Sequence, residues 1–375
     1  MDNTVKVLHI IPGYGGGISS YVKNLISGMS KKNICIDVVS FSDYDKSFIN
    51  IIELRGGRTF SIPSVHTGIT KMVKAYCTIL KDNQYDVVHC HISGYKGLFF
   101  MAFAKAYNVK RVLVHAHRTS DENKGLFYKL QIKASQFMTT CLATDYLTCS
   151  KMASEFIFGS RIGKSKKVHS MPNSVDVNKF TKQLSKDKVV EFYDDLNIFQ
   201  GDLIIGHIGR FNLQKNHEFM IKIISELRSR NINFKWLFVG EGNLEEQIKE
   251  RVNNLNLQKY VRFLGRREDI PDLIHVFNVF VLPSLFEGLP TVSIEAQAAG
   301  IPTILSDTIT SEANMDMGIL DYISVNNEVE WADRILNFSS KQIPNVEERR
   351  KKIQENGFTL DTLGRKYEEI LLGIQ

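Results

Sequence analysis

The sequence predicts an α/β protein made of two Rossmann-like, parallel-sheet domains, and three observations carry that expectation. A chain of 375 residues is too long for one ordinary core, so two domains of under about 200 residues each are the default. Short β-branched apolar runs alternate with stretches of helical spacing, the pattern of parallel strands covered by helices on both faces. The pattern also starts twice, each time as strand, glycine turn and helix.

The first start is "VKVLHIIP" (5–12), which runs into "GYGGG" (13–17) and then into a helix carrying Ile18, Tyr21, Val22, Leu25, Ile26 and Met29 on one face. Further strand-like runs follow at 34–41, 85–93, 110–117, 146–150 and 167–173, with helical stretches such as 67–82 between them. The second start is "DLIIGHIGRF" (202–211). A helix is expected near Lys215, then strands at 234–240, 261–265, 278–284 and 302–307. The polar, helix-prone stretch 181–201 reads as a connector between domains at 1–180 and 202–356, and 357–375 reads as an amphipathic tail. In open α/β sheets ligands bind beyond the carboxyl ends of the strands. The expected site is therefore the cleft between two facing sheets.

Composition excludes several classes. Apolar residues make up 43% and charged residues 23%, as in a soluble globular protein. No run is long and apolar enough to span a membrane, and the N-terminus lacks the basic start and small-residue cleavage site of a signal peptide. Cysteines 35, 77, 90, 141 and 149 stand singly, which suits reduced core thiols in the cytoplasm. The net charge of +6 is concentrated. Lys96, Lys105, Lys110, Arg111, Arg118, Lys124, Lys129 and Lys133 stand against Asp121 and Glu122. Lys151, Arg161, Lys164, Lys166, Lys167, Lys179 and Lys182 stand against Glu155 and Asp176. Such a cluster suggests a phosphate-bearing partner or an anionic membrane surface. Nucleic acid is excluded for want of any binding motif.

The residues that could carry chemistry sit near strand ends. "GYGGG" lacks the third glycine of a dinucleotide fingerprint, Ile18 standing in its place, so a dehydrogenase is disfavoured. The glycines still allow backbone to approach a ligand, with the following helix aiming its amides outward. In "GRFNLQKNH" (209–217), Arg210 leaves a strand and Lys215 opens a helix, two cations suited to a diphosphate. In "FEGLPTVSIEAQAAGIP" (286–302), Pro290 suits a first helical turn, placing Glu287 before the helix and Glu295 on its second turn, roughly 10 Å apart. The amides of Gly288, Leu289 and Thr291 lie between them. Carboxylates at both ends and an anion site in the middle match a nucleoside diphosphate sugar, with Glu295 on the ribose and Glu287 on the sugar. A glycosidase pair would need one protonated carboxyl, and no apolar pocket that would raise a pKa is legible. His89, His91, His115 and His117 follow two strands, and alternation is expected to turn one of His115 and His117 inward. A metal site from four histidines without fixed spacing is disfavoured. "DYD" (43–45) reads as a polar turn rather than a metal-binding D-x-D.

Taken together, the Glu287-to-Glu295 spacing, "GRFNLQKN", "SMPNSVDVNKF" (170–180) and the N-terminal glycine turn resemble the retaining glycosyltransferase family 4 over nearly the whole chain, in a form similar to enzymes of bacterial capsule and exopolysaccharide assembly. The resemblance implies a GT-B fold: an acceptor-binding domain at 1–180, a nucleotide-sugar domain at 202–356 and a last helix crossing back to the first domain. It implies no metal and no cofactor beyond the nucleotide sugar, probed first as a UDP-sugar. It assigns Arg210 and Lys215 to the diphosphate, Glu295 to the ribose, and Glu287 with Gly288, Leu289 and Thr291 to sugar and phosphate. Gly16 and Gly17 match its N-terminal donor and acceptor loop. It places a catalytic histidine at a strand end, here His117, with His91, His115 and Arg118 on the acceptor side. The implied acceptor is a lipid-pyrophosphate-linked saccharide at the inner face of the membrane, met peripherally. A sugar-nucleotide epimerase of the same fold and a non-catalytic sugar-nucleotide-binding subunit are the alternatives; the presence of all four of Arg210, Lys215, Glu287 and Glu295 argues against the second.

Overall fold

The computed structural model describes residues 4–118 and 125–373. The chain divides into two compact units, Met1–Ser174 with Gly357–Gln375, and Val175–Asn356.

Among the described residues of the first unit, seven strands form one sheet: β1 Val5–Ile10, β2 Ile34–Ser40, β3 Thr59–Ser61, β4 Val87–Cys90, β5 Arg111–Ala116, β6 Asp145–Thr148 and β7 Val168–Ser170. All pair in parallel, in the order β3-β2-β1-β4-β5-β6-β7. Parallel strands are buried on both faces, and β4 is buried at every residue. One face packs a core around Leu8, Val88, Val112, Tyr76 and Phe100; the other packs around Val7, Val87, Leu113, Tyr21 and Tyr367.

In the second unit the described strands are β8 Leu203–Ile208, β9 Phe234–Val239, β10 Val261–Phe263, β11 Val279–Leu282, β12 Thr303–Ser306 and β13 Leu320–Ile323. They form a parallel sheet in the order β10-β9-β8-β11-β12-β13. Trp236, Phe238 and Trp331 fill its core. The stretch read as a connector contributes the helix Lys186–Asp195 to this unit, and the next residue, Leu196, accepts a hydrogen bond from Arg262 through its carbonyl (3.0 Å). Strands β3 and β13 have no counterpart in the sequence reading. β3 is three residues at a sheet edge ending in the exposed Ser61, and β13 carries Asp321 and Tyr322 in its middle, so neither is a continuous apolar run.

The last helix, Leu360–Leu372, belongs to the first unit and packs on the helix Gly17–Gly28. Glycines let the two backbones touch: a Cβ on Gly28 would lie 1.9 Å from the Leu360 carbonyl oxygen, and one on Gly364 would lie 2.1 Å from that of Gly28. Buried Glu368 accepts the amides of Ser30 and Lys31. Arg111, paired with Asp145 at 2.6 Å, donates to the carbonyls of Ile370 and Leu371, the unpaired acceptors of a helix end. Arg111 is thus structural and leaves the basic cluster. Lys164 and Lys179 pair with Glu155 and Asp176, while Lys124, Asp121 and Glu122 lie outside the described residues. Of the cysteines only Cys90 and Cys149 are buried; Cys141 is exposed, which corrects the expectation of core thiols throughout. No described helix is long and apolar enough to cross a membrane.

Because backbone cannot yield at the glycine contact, Gly364→Ala is expected to cost about 3 kcal/mol, the upper part of the usual overpacking range. Glu369→Ala, on the exposed side of the same helix, should stay within about 0.5 kcal/mol. Urea unfolding followed by circular dichroism compares the two.

Candidate functional site

The order of the second sheet reverses between β8 and β11, which pair at Val279 with Ile205 and at Phe280 with Gly206. Loops leaving such strands diverge and open a crevice at their carboxyl ends. The expected residues of this unit all lie on these two segments. After β8 come Gly209, Arg210 and a three-residue 3₁₀ turn, Leu213–Lys215; the helix proper starts at His217, two residues later than Lys215. Asn212 caps the turn by accepting the Lys215 amide. A Cβ at Gly209 would sit 3.0 Å from Lys215 Cε, so glycine there gives the lysine stem its path.

After β11, Glu287 is buried and tied from two sides. Lys215 Nζ donates to its Oε1 at 2.6 Å, and Gln214 Nε2 donates to its Oε2 at 3.0 Å. The Leu285 amide donates to the Gln214 carbonyl at 2.8 Å, locking the two loops together. Lys215, expected as a bare point charge, is therefore half neutralised and held by Glu287. Removing one partner of so buried a pair would leave the other uncompensated. Arg210 is exposed, and among the described residues no carboxylate pairs with it.

The helix after Glu287 is Thr291–Ala299, with Pro290 as its N-cap rather than inside the first turn. It ends at Gly300 in the left-handed conformation, φ 81°. Buried Gln297 donates to the Ala313 carbonyl and accepts the Met315 amide, and Arg349 donates to the Ala298 carbonyl. The helix axis is thus fixed, and its opening amides present the positive end of the dipole. Glu295, on the second turn, is only partly exposed, and burial pushes its carboxyl up to about 7. This corrects the expectation that nothing here would raise a carboxyl pKa: burial in the folded chain does so.

In the first unit, β1, β4 and β5 bring five histidines together. His9 and His89 are register partners on neighbouring strands. His91 and His117 lie just beyond the ends of β4 and β5. His115 and His117, two residues apart, point to the same face, with ring centroids 4.0 Å apart. Alternation therefore does not separate them, contrary to the sequence reading, because the strand period is two. Depth separates them: His115 is fully buried and His117 is partly exposed. His91 is also closed off, at 2% exposure. Of the catalytic candidate His117 and the three residues expected on the acceptor side, only His117 and Arg118 reach the surface. Burial pushes His9 and His117 down to about 3 and holds His89, His91 and His115 well below the usual imidazole range. All five are neutral rings. His9, His89 and His91, and likewise His91, His115 and His117, offer nitrogens within 4.8 Å of one another. Neither trio includes a carboxylate or thiolate to offset a buried cation, and ring nitrogens are shared in hydrogen bonds from His9 to His91 and from His91 to His117. His9, His91 and His117 are joined by hydrogen bonds, His89 is tied in through Tyr367, and His115 joins them by ring stacking.

The glycine turn is tied to the helix it opens. Ser19 Oγ accepts the amides of Gly15 and Gly16, so the Gly16 amide faces its own helix; a Cβ at Gly17 would meet nothing within 4 Å. In "DYD", Asp45 caps the helix Lys46–Glu53 by accepting the Phe48 amide, and the Tyr14 hydroxyl bonded to it holds its carboxyl below the usual range. Sequence reasoning missed Gln214, His9, Tyr367 and the pair Gly240 and Gly242. The last had a signal in "VGEGN" after β9: a Cβ on Gly240 would lie 2.2 Å from the Gly209 carbonyl oxygen, so this loop braces the one carrying Arg210.

Comparison with known proteins agrees with this geometry. Residues 15–179 match Glycosyltransferase Family 4 and residues 180–359 match Glycosyl transferases group 1. EpsF of Bacillus subtilis (strain 168), named as a glycosyltransferase, is 31% identical over 366 residues, covering 94% of this chain and 92% of that one. The Escherichia coli UDP-Gal:alpha-D-GlcNAc-diphosphoundecaprenol alpha-1,3-galactosyltransferase is 28% identical over 67% of this chain and 66% of its own. HepE of Anabaena, crystallised in complex with UDP and glucose, superposes with a TM-score of 0.78 at 17% identity over 99% of this chain and 100% of that chain, which shows the fold. With both units matched in order and a relative 31% identical over 94% of the chain, the chain belongs to glycosyltransferase family 4 and is a glycosyltransferase of the GT-B fold.

Proposed function

We propose that the chain transfers a sugar, with retention of configuration, from a nucleoside diphosphate donor to a saccharide carried on a lipid pyrophosphate in polysaccharide assembly, with a UDP-sugar as the donor to test first. The observation that carries this reading is the set gathered at the β8/β11 reversal: Arg210, the Lys215–Glu287 pair and the helix opening at Thr291. Together they supply two cations and a helix N-terminus for a diphosphate. Glu295 in its carboxylate form suits the ribose hydroxyls. The relatives support the substrate classes, since one is named for UDP-galactose and a diphosphoundecaprenol-linked acceptor and another was crystallised with UDP and glucose.

In the reaction the bond from the anomeric carbon to the diphosphate oxygen breaks as a bond to the acceptor oxygen forms, and the acceptor's proton passes to the leaving phosphate oxygen. Charge grows on the diphosphate, where Arg210, Lys215 and the helix amides stand preorganised. Glu287 keeps Lys215 in place, and Gln214 keeps Glu287. No step requires a metal. His117 is assigned to the reacting sugar and Arg118 to the acceptor.

A lipid-borne acceptor calls for a surface that meets a bilayer. Leu130, Phe137 and Met138 are exposed on one face of the helix Leu126–Leu142, with exposed Lys133 among them and Lys129 beside them. Apolar anchors with cations match an anionic interface.

Nucleotide release from a panel of UDP-, GDP- and ADP-sugars, with EDTA present and with or without membrane lipid extract, tests the reading. Release dependent on extract is expected; sugar interconversion without release would make the protein an epimerase. Arg210→Ala and Lys215→Ala should each lower kcat by about 100-fold. Donor affinity should be flat above pH 7 and fall by about tenfold per pH unit below it, because the ribose bonds need the carboxylate; Glu295→Gln should weaken binding and abolish that slope, as calorimetry would show. In the free protein the sign is opposite. A carboxyl raised to about 7 makes folding less favourable as pH climbs from 4.5 through 7. Glu295→Gln should therefore be more stable than wild type at pH 8, by up to about 3 kcal/mol, and no more stable below pH ~4.5. Phe137→Ser with Leu130→Ser should reduce co-sedimentation with phosphatidylglycerol vesicles by about tenfold or more, given some 1.5–3 kcal/mol for each buried apolar side chain.

A further inference from the structure

Three hydrogen bonds link the last helix to the strand-end histidine, and a fourth ties the same helix to His89. His89 Nδ1 lies 2.8 Å from the Tyr367 hydroxyl, and that hydroxyl lies 2.9 Å from His9 Nε2. His9 Nδ1 lies 2.9 Å from His91 Nε2, and His91 Nδ1 lies 2.9 Å from His117 Nε2. We propose that Tyr367 is a positioning residue that fixes the tautomer of His117 through this chain, so that His117 presents Nδ1–H as a neutral hydrogen-bond donor rather than a lone pair that could act as a base.

Each neutral imidazole carries one N–H and the phenol carries one O–H. Five protons serve four bonds, so one proton is always left over, and two of the ways to fill the bonds run as a single chain in opposite directions. In one, His89 Nδ1–H donates to Tyr367, Tyr367 donates to His9 Nε2, His9 Nδ1–H donates to His91 Nε2, and His91 Nδ1–H donates to His117 Nε2. The leftover proton is on His117 Nδ1. In the other, every histidine carries its proton on Nε2, His117 offers a bare Nδ1, and the leftover proton is on His89 Nε2. A third pattern, with the phenol accepting from both His89 and His9, strands the phenol's own proton in the core.

Burial decides between the two directions. His89 Nε2 is buried and has no hydrogen-bond partner. A stranded buried N–H is rarer and costlier than a stranded acceptor. The direction that leaves a lone pair there, and sends the spare proton outward to partly exposed His117, is the favoured one. Burial lowers His9 and His117 to about 3 and holds His89 and His91 well below the usual imidazole range, so each ring is counted as neutral near pH 7. The link is held rigidly: Tyr367 has no exposed surface, and its helix is fixed by Glu368, Arg111 and the Gly28–Gly364 contact.

The direction of the chain stands independently of the transferase reading; its consequence for the reaction rests on it. Long-range ¹⁵N–¹H correlation spectra of the histidine-labelled protein read both directly. In wild type, His9, His91 and His117 should all show protonated Nδ1 and bare Nε2; any of the three read as Nε2–H overturns the proposal without recourse to a variant. In Tyr367→Phe, which keeps the ring in the core, His117 should move to a mixture or to the Nε2–H form. An unchanged Nδ1–H pattern in a folded variant would mean that Tyr367 does not set it. With a donor and acceptor that give turnover, Tyr367→Phe should lower kcat/KM by about tenfold, the worth of one neutral hydrogen bond. His117→Asn, whose amide keeps a neutral donor at the same reach, should retain far more activity than His117→Ala. If the asparagine variant is as inactive as the alanine one, His117 is a base and the donor assignment fails. If the spectra are as stated but no nucleotide sugar turns over, the transferase reading fails and the tautomer assignment stands.

Discussion

A parallel strand must be followed by a crossover, so every strand of a sheet delivers its outgoing loop to the same end. That constraint organises each unit of this protein. Both sheets reverse their order beside the first strand, at β1/β4 and at β8/β11, and the polar residues collect on the loops leaving those strands. Buried β8 and β11 cannot themselves carry charge at low cost. Arg210, Lys215 and Glu287 stand on the loops that leave the two strands, outside the sheet, and the helix after Glu287 adds its amides to them.

The two units use the same position for opposite electrostatics. The second unit gathers full charges: a buried ammonium–carboxylate pair, an exposed guanidinium and a carboxyl at the edge of ionisation. The first gathers neutral rings with barely any free charge, stacked at 4.0–5.5 Å and joined by hydrogen bonds. Ionic groups suit a ligand that is itself strongly charged. A neutral, directional donor suits hydroxyl-bearing groups, which gain from oriented bonds and little from charge.

Much of this was legible in the sequence, for identifiable reasons. The doubled strand–turn–helix pattern is a local property of composition, and the strand-end positions of Arg210, Lys215, Glu287 and His117 follow from where the apolar runs stop. What escaped depended on neighbours far along the chain. The raised carboxyl of Glu295 needs walls that only folding assembles. Edge strand β3 and half-polar β13 are held by a partner rather than by an apolar run of their own. The single face shared by His115 and His117 was readable from the strand period and was misread. Gly364 had a signal too, since glycine in a helix interior costs about 1 kcal/mol and invites the question of what must come close; the answer, Gly28, lies 336 positions earlier in the numbering.

The last helix joins these themes. A helix that merely covered a sheet could do so with leucines, and Leu363 and Leu371 do part of that work. The contacts specific to this one are polar or backbone-tight: Glu368 on the Ser30 and Lys31 amides, Arg111 on its terminal carbonyls, glycine against glycine, and the Tyr367 hydroxyl between two histidines. Apolar contacts tolerate a slip of a few tenths of an ångström, whereas a hydroxyl bridging two ring nitrogens at 2.8 and 2.9 Å does not. The precision of the docking thus exceeds what covering the core requires. It is the precision needed to place one phenol proton, and through it the proton of a ring at the mouth of the sheet.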